Sequence, residues 1–253
     1  MKTLFRISLA LVLLFCTQAC NEKKRIFSVE GGSVKVETVT CDTGALAVRA
    51  ILERGIKAVD SIRKPIIGVA AHDLNKYIPE SPLMNFAADA LLLMARECTG
   101  QRIDIAITNK GGLRSNIPEG EITFGDVYNV FPFENTLALL TLNGEELLQL
   151  CGEIASVGGE AVSGLKLTIA PNGKLLNAMC QGKEIDASGS YRIATSDYLA
   201  QGNDKMNALA LGSEREIRSD ITIRDLMIRY ISMLAKEGKS VSAVCDGRIT
   251  IKE

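Results

Sequence analysis

Residues 109–136 read NKGGLRSNIPEGEITFGDVYNVFPFENT, and they follow the short apolar run Asp104-Ile105-Ala106-Ile107. That run suits a buried strand, and Gly111 and Gly112 let the chain turn sharply directly after it. Backbone N–H groups in such a turn can face an anion. Arg114 adds a guanidinium suited to a bidentate, charge-assisted contact with a carboxylate or phosphate. Ile117 to Gly120 makes a turn. Thr123 then caps a helical turn through Asp126, Val127 and Val130, with Asp126 at its third position, and the chain reverses at Phe131-Pro132-Phe133. Residue by residue, the same stretch also fits a ligand-free connection in which Phe133 is core and Arg114 forms a surface ion pair.

Outward from this stretch the pattern alternates between helix and strand. Val34 to Val39 alternates apolar with polar, as a half-buried strand does, and a helical pattern runs from Asp42 through Leu46, Ala50, Ile51, Ala58 and Ile62 until Pro65. Ile66 to Ala70 reads as a strand, and Phe86, Ala87, Ala90, Leu91 and Met94 mark one face of a helix ending near Gly100. Leu137 to Leu142 is a strand, followed by Asn143-Gly144 and a helix carrying Leu147, Leu148, Cys151 and Ile154. Leu165–Ile169 and Lys174–Met179 flank Pro171-Asn172-Gly173 as a hairpin. Tyr191 to Thr195 is a strand, Ile223 to Leu234 an amphipathic helix, and Val241 to Ile251 a terminal strand. Hairpins combined with helical crossovers predict an α/β (α+β) fold with mixed sheets and flanking helices.

The 253 residues are 47% apolar, enough for a substantial core, and 29 basic against 30 acidic residues give a net charge of −1. That balance supplies no general attraction for nucleic acid, so anion binding has to be local. Lys2 and Arg6, the apolar run Ile7 to Phe15 and Thr17-Gln18-Ala19-Cys20 resemble a bacterial lipoprotein signal. This predicts a signal peptide over 1–19, lipidation of Cys20, a tether over 20–33 and one domain over 34–253. The expected location is the cell envelope, lipid-anchored and facing the periplasm. Cys41, Cys98, Cys151, Cys180 and Cys245 form no disulfide framework and no paired metal motif. A Cys41–Cys245 bridge is open, with buried free thiols as the alternative.

Catalytic residue types are scarce. His72 is the one histidine, so no histidine-rich metal centre is available, and a histidine ending a strand usually serves as a hydrogen-bonding residue. Lys110 precedes the glycines instead of following them, which rules out a P-loop. Glu145-Glu146 sits at a helix start, where the helix dipole accounts for it.

A second constellation, Thr195-Ser196-Asp197-Tyr198-Leu199-Ala200-Gln201-Gly202-Asn203-Asp204, follows a strand and leads into a glycine-containing loop. With Asn-Lys-Gly-Gly-Leu-Arg, the Phe-Glu-Asn corner, the Leu-Asn-Gly-Glu-Glu-Leu helix start and Glu80-Ser81-Pro82-Leu83-Met84-Asn85-Phe86-Ala87-Ala88-Asp89-Ala90, this order resembles the C-terminal, nucleotide-binding domain of the 5′-nucleotidase family, which includes UDP-sugar hydrolases and ecto-nucleotidases. The resemblance covers residues 34 to 252. It implies a layered α/β/β/α arrangement, with the helix of the opening signature started by its asparagine.

The resemblance also implies a nucleoside held between two aromatic rings, here Phe133 and Tyr198, with tyrosine in place of the more usual phenylalanine. Asn109, Gly111, Gly112 and Arg114 match the family's asparagine-glycine-glycine-arginine turn, Asn135 its corner asparagine, and Asp204 the loop aspartate expected at the ribose hydroxyls. Two positions depart from the pattern. Lys76-Tyr77-Ile78-Pro79 stands where the family usually has an arginine, and Gly202-Asn203-Asp204-Lys205-Met206 replaces a Gly-Gly-Asp-Gly-Phe loop, so Lys205 implies an altered loop shape while Asn203 is a tolerant replacement.

In complete family members a metallophosphoesterase domain does the chemistry with two metal ions. The short segment between signal and domain contains no histidine, so the expectation is no catalytic residue, metal site or cofactor in this chain, and divalent metals on a partner metallophosphoesterase chain. The predicted role is the binding half of a split 5′-nucleotidase acting in nucleotide catabolism. A non-catalytic nucleoside-scavenging lipoprotein and a remnant without ligand are the alternatives.

Overall fold

The computed structural model describes residues 43–252, and the chain divides into two compact units, 1–50 and 51–253. Of the first unit only the helical start at 43–50 is described. The predicted signal, Cys20, the tether, the Val34–Val39 strand and the Cys41 half of the open disulfide lie outside the described residues.

Helix α1, Thr43–Arg63, stops where the sequence predicts, ahead of Pro65. Its apolar residues Ile51, Leu52, Ile56, Val59 and Ile62 remain exposed, so its 3.6-residue periodicity does not mark burial in this chain. Strand β1 (Ile66–Ala70) pairs antiparallel with β3 (Gly120–Thr123). Helix α2 runs over Pro82–Thr99. It starts three residues before Asn85: the Ser81 side chain accepts the Met84 N–H as N-cap, Pro82 fills the first turn, and Asn85 sits buried inside the helix. Gly100 ends it at φ 66°.

A five-stranded mixed sheet carries the architecture, in the order β10 (Ser213–Thr222), β4 (Thr136–Asn143), β9 (Ser190–Ser196), β2 (Ile105–Thr108), β5 (Ala161–Ser163). Its strands alternate between two cores. Ala106, Leu137, Leu139 and Ala194 face α2 and α7 (Ile223–Lys236). Ile105, Ile107, Ala138, Leu140 and Ile193 face α4 (Gly144–Ser156) and a four-stranded sheet of β11 (Ile249–Ile251), β6 (Leu165–Ile169), β7 (Leu175–Cys180) and β8 (Lys183–Glu184). Each fully buried leucine or isoleucine among these stabilises by about 1.5–3 kcal/mol relative to exposure, and the alanines by less, so both faces hold the sheet. The predicted mixed α/β class with flanking helices is therefore the observed one.

Local chemistry explains most boundaries. Helix α3 (Phe124–Val130) has the Thr123–Asp126 capping box anticipated from sequence, and Asn143 with Glu146 forms another at α4. The predicted terminal strand shrinks to Ile249–Ile251, with Val241 making only an isolated bridge to Ala70. Strand β10 is missing from the sequence reading because Ser-Glu-Arg-Glu-Ile-Arg-Ser-Asp-Ile-Thr is an edge strand dominated by charge.

The sheet's polarity assembles the site. β2 runs parallel to β9 and β4 runs antiparallel to it, with Leu137 opposite Ser196. The end of β2, the start of β4 and the end of β9 therefore meet at one edge. Asn109, Asn135 and Tyr198 come from those three places, the kind of edge at which α/β sheets place ligands.

Candidate functional site

The glycine turn after β2 is a short 3-10 turn over Lys110–Gly112. Neither glycine takes a positive φ, so the sharp-turn explanation gives way to a steric one. A Cβ at Gly112 would stand 2.8 Å from Asn109 Oδ1. A side chain at 112 would therefore displace the Asn109 amide, and glycine leaves room for it to fold back over the turn.

The turn's N–H groups are largely engaged within the protein, which narrows the expected anion nest. Gly112 N donates to Asn109 O at 3.0 Å and Leu113 N to Lys110 O at 3.2 Å. Lys110 N donates to Glu160 Oε2 at 2.5 Å. The Lys110 ammonium donates to Val157 O (2.9 Å), Gly159 O (2.7 Å) and Glu160 Oε1 (3.1 Å), which uses its three hydrogens. Burial pushes the Glu160 carboxyl above the usual carboxylate range; Lys110 opposes that shift and the charge of Asp204 adds to it.

Lys76 fills the place where the resemblance implies an arginine. Its Nζ donates to Leu113 O at 2.5 Å and Lys110 O at 3.3 Å, so this cation braces the glycine turn from outside. Arg114 remains available. It is exposed and forms no salt bridge with a described residue; its side chain donates to Gly111 O at 3.4 Å, and its guanidinium lies 5.9 Å from the centre of the Phe133 ring. The ion-pair alternative for Arg114 and the core alternative for Phe133 both fail, since Phe133 is 48% exposed.

Phe133 joins Thr108, Asn109, Gly112, Phe131, Asn135 and Ser196 around a small concavity of about 20 Å³. Tyr198 and Asp204 stand outside that wall and connect to it through Asn109. The Asn109 amide Nδ2 donates to Asp204 Oδ2 at 2.6 Å, and the Tyr198 hydroxyl donates to Asp204 Oδ1 at 2.9 Å. Asn109 is buried, while Asp204 and Tyr198 are exposed, so this chain of contacts runs from the sheet edge out to solvent. Asn135 is half-buried and its carbonyl accepts the Ile223 N–H at 2.8 Å. All eight predicted site residues therefore lie on connected segments at one sheet edge.

Several supporting residues were not anticipated. Arg224, 4% exposed, donates to Phe131 O at 3.1 Å, pairs with Glu134, and stacks 3.9 Å from the Tyr128 ring centre, which fixes the corner that presents Phe133. Asp197 Oδ1 accepts both Thr136 N (3.0 Å) and Tyr198 N (2.9 Å). The Ser-Asp pair before Tyr198 was a readable helix-start signal for Asp197; an arginine within the amphipathic pattern of α7 gave none for Arg224.

A metal centre does not fit the described residues. Among them no three His, Cys, Asp or Glu side chains are grouped to hold an ion. His72 instead contacts Asp73 O and Ser242 Oγ, each at 3.2 Å.

The glycine turn, the Phe-Glu-Asn corner and the Tyr-Asp loop occur within residues 66–211, and that span matches the family described as 5′-nucleotidase, C-terminal domain. The chain belongs to this family. It is 35% identical over 185 residues to the trifunctional nucleotide phosphoesterase protein YfkN of Bacillus subtilis, covering 67% of this chain and 12% of that protein. It is 33% identical over 192 residues to protein UshA of Yersinia enterocolitica, covering 73% of this chain and 34% of that one. The fold matches the crystal structure of a 5′-nucleotidase precursor from Thermus thermophilus with a TM-score of 0.68 and 27% identity, over 82% of this chain and 43% of that chain. The chain thus spans between 12% and 43% of the length of these relatives.

Proposed function

We propose that this 5′-nucleotidase C-terminal domain binds the nucleoside part of a nucleotide between Phe133 and Tyr198, as the substrate-holding half of a nucleotide hydrolase. The observation that carries this reading is the exposure of an aromatic ring, with an uncommitted arginine beside it, at the sheet edge where Asn109 and Asp204 meet. Aromatic faces stack on any base, contributing about 1–3 kcal/mol each, and a carboxylate accepts well from vicinal hydroxyls. Arg114 is then the group for the substrate's anionic part.

The phosphate chemistry, in this proposal, belongs to a metallophosphoesterase acting with this chain and supplying the divalent metals. Attachment to a membrane through a lipid on Cys20, in the bacterial envelope, completes the reading; the sequence around Cys20 supports it, and mass spectrometry of the N-terminal peptide from native membranes tests it. For the split enzyme the test is AMP hydrolysis with added Mn²⁺ or Co²⁺. The chain alone is expected to be inactive and the chain with its phosphoesterase active. Vigorous hydrolysis by the purified chain would contradict the division of labour.

A further inference from the structure

The loop carrying Asp204 holds a backbone that its side chains disfavour. Gly202 lies at φ 86°, and after Asn203 both Asp204 (φ 55°) and Lys205 (φ 67°) occupy the left-handed region. Glycine enters that region freely and aspartate is tolerated there, whereas lysine is not among the residues enriched in it. Consecutive residues of this kind persist only where their surroundings over-determine the chain.

Tyr198 supplies much of that constraint. Its carbonyl oxygen accepts Asn203 Nδ2 at 2.8 Å and its hydroxyl donates to Asp204 Oδ1 at 2.9 Å, while Asn109 holds the other carboxylate oxygen. Past the strained pair, Met206 is buried and its N–H returns to Asn203 O at 3.1 Å. The loop is thereby pinned at both ends of the carboxylate and at its downstream residue.

We propose that the Tyr198 hydroxyl is a positioning group: it latches the loop at 202–206 against its backbone strain, so that Asp204 is already oriented for a ribose diol while the tyrosine ring offers its face to the base. The proposal rests on the nucleoside-binding reading of this site and deepens it, because it ties the latch to recognition of the sugar and not of the base. Each Asp204 oxygen accepts one donor from the protein and retains a lone pair for a ligand hydroxyl. Consistent with the bond, the hydrogen bond to Asp204 raises the Tyr198 phenol above the usual tyrosine pKa.

The test compares the full chain with Tyr198→Phe, Lys205→Gly and the double variant, by calorimetry with adenosine and with adenine, and by amide hydrogen exchange without ligand. Tyr198→Phe keeps the ring face, so adenosine binding weakens about 3- to 10-fold, the net value of one hydrogen bond, and by a larger factor than adenine binding does. Exchange at residues 203–206 accelerates in the same variant. Lys205→Gly removes the left-handed cost at that residue, so adding it to Tyr198→Phe restores most of both losses. Unchanged loop exchange in Tyr198→Phe overturns the latch, as does equal adenosine affinity where the parent binds adenosine. A parent that binds no adenosine refutes the nucleoside reading, and the exchange data then decide the latch alone.

Discussion

Asp197 Oδ1 accepts the backbone N–H of Thr136 at 3.0 Å, joining the start of β4, one residue past Asn135, to the helical turn that bears Tyr198. The same oxygen accepts Tyr198 N at 2.9 Å, so one carboxylate sets the spacing between the segments that carry the two rings. Asp197→Ala should cost about 1–2 kcal/mol of stability by leaving these N–H groups without their acceptor. It should also weaken nucleoside binding. Asp197→Asn keeps an acceptor oxygen and should retain most of both, as measured by urea denaturation and calorimetry.

Phe133 separates binding from folding. Its half-exposed ring contributes little to the core, so Phe133→Ala should leave the thermal midpoint within a few degrees of the parent. Loss of stacking should weaken adenosine or AMP binding by about 1–3 kcal/mol, that is, roughly 5- to 150-fold. Equal weakening of stability and affinity would mean the ring is structural.

Arg224 does the opposite. Truncation to alanine leaves Phe131 O without its donor and opens space beneath Tyr128, which together should cost about 2–4 kcal/mol in denaturant unfolding. Most of that comes from the buried part of the side chain, because its partner Glu134 is 74% exposed and the ion pair itself is well screened.

Glu160 gives a pH signature. Burial, the largest influence, raises its pKa in the folded protein, so the fold takes up a proton more readily than the unfolded chain does. Its contribution to stability is complete below the unfolded carboxylate value of about 4.3 and is lost as pH rises through the raised folded value. The stability of the parent relative to Glu160→Gln should therefore fall between acid and neutral pH. A constant difference across that range would argue that Glu160 titrates normally.

The thiols should divide by environment. Burial pushes Cys151 up to about 12, with Cys180 adding to the shift, and burial pushes Cys180 up to about 11, with Asp104 adding. Neither should label at pH 8 until the protein unfolds, whereas exposed Cys245 should label in the native state, as read by mass spectrometry with a thiol reagent.

Periodicity and capping made the helices and the hairpin legible in the sequence, because Thr123, Asn143 and Gly173 act on neighbours only a few residues away. Ordered motifs likewise pointed to Phe133, Tyr198, Asn109 and Asp204, which the fold brings to one sheet edge. What stayed hidden depends on contacts distant in sequence. Nothing near Asp197 tells that it reaches Thr136, or near Arg224 that it holds the Phe131 carbonyl. The same holds for Lys110 and Lys76, which look like free cations and are spent on carbonyls and Glu160. The glycine pair suggests a sharp turn, whereas the position of the Asn109 side chain is what accounts for Gly112.

The central claim is that this chain holds a nucleoside at the Phe133–Tyr198 edge, and calorimetric titration of the purified chain with adenosine and AMP tests it most directly. The account predicts saturable binding to one site that Phe133→Ala abolishes or strongly weakens; a flat titration with both ligands in a folded protein would contradict it.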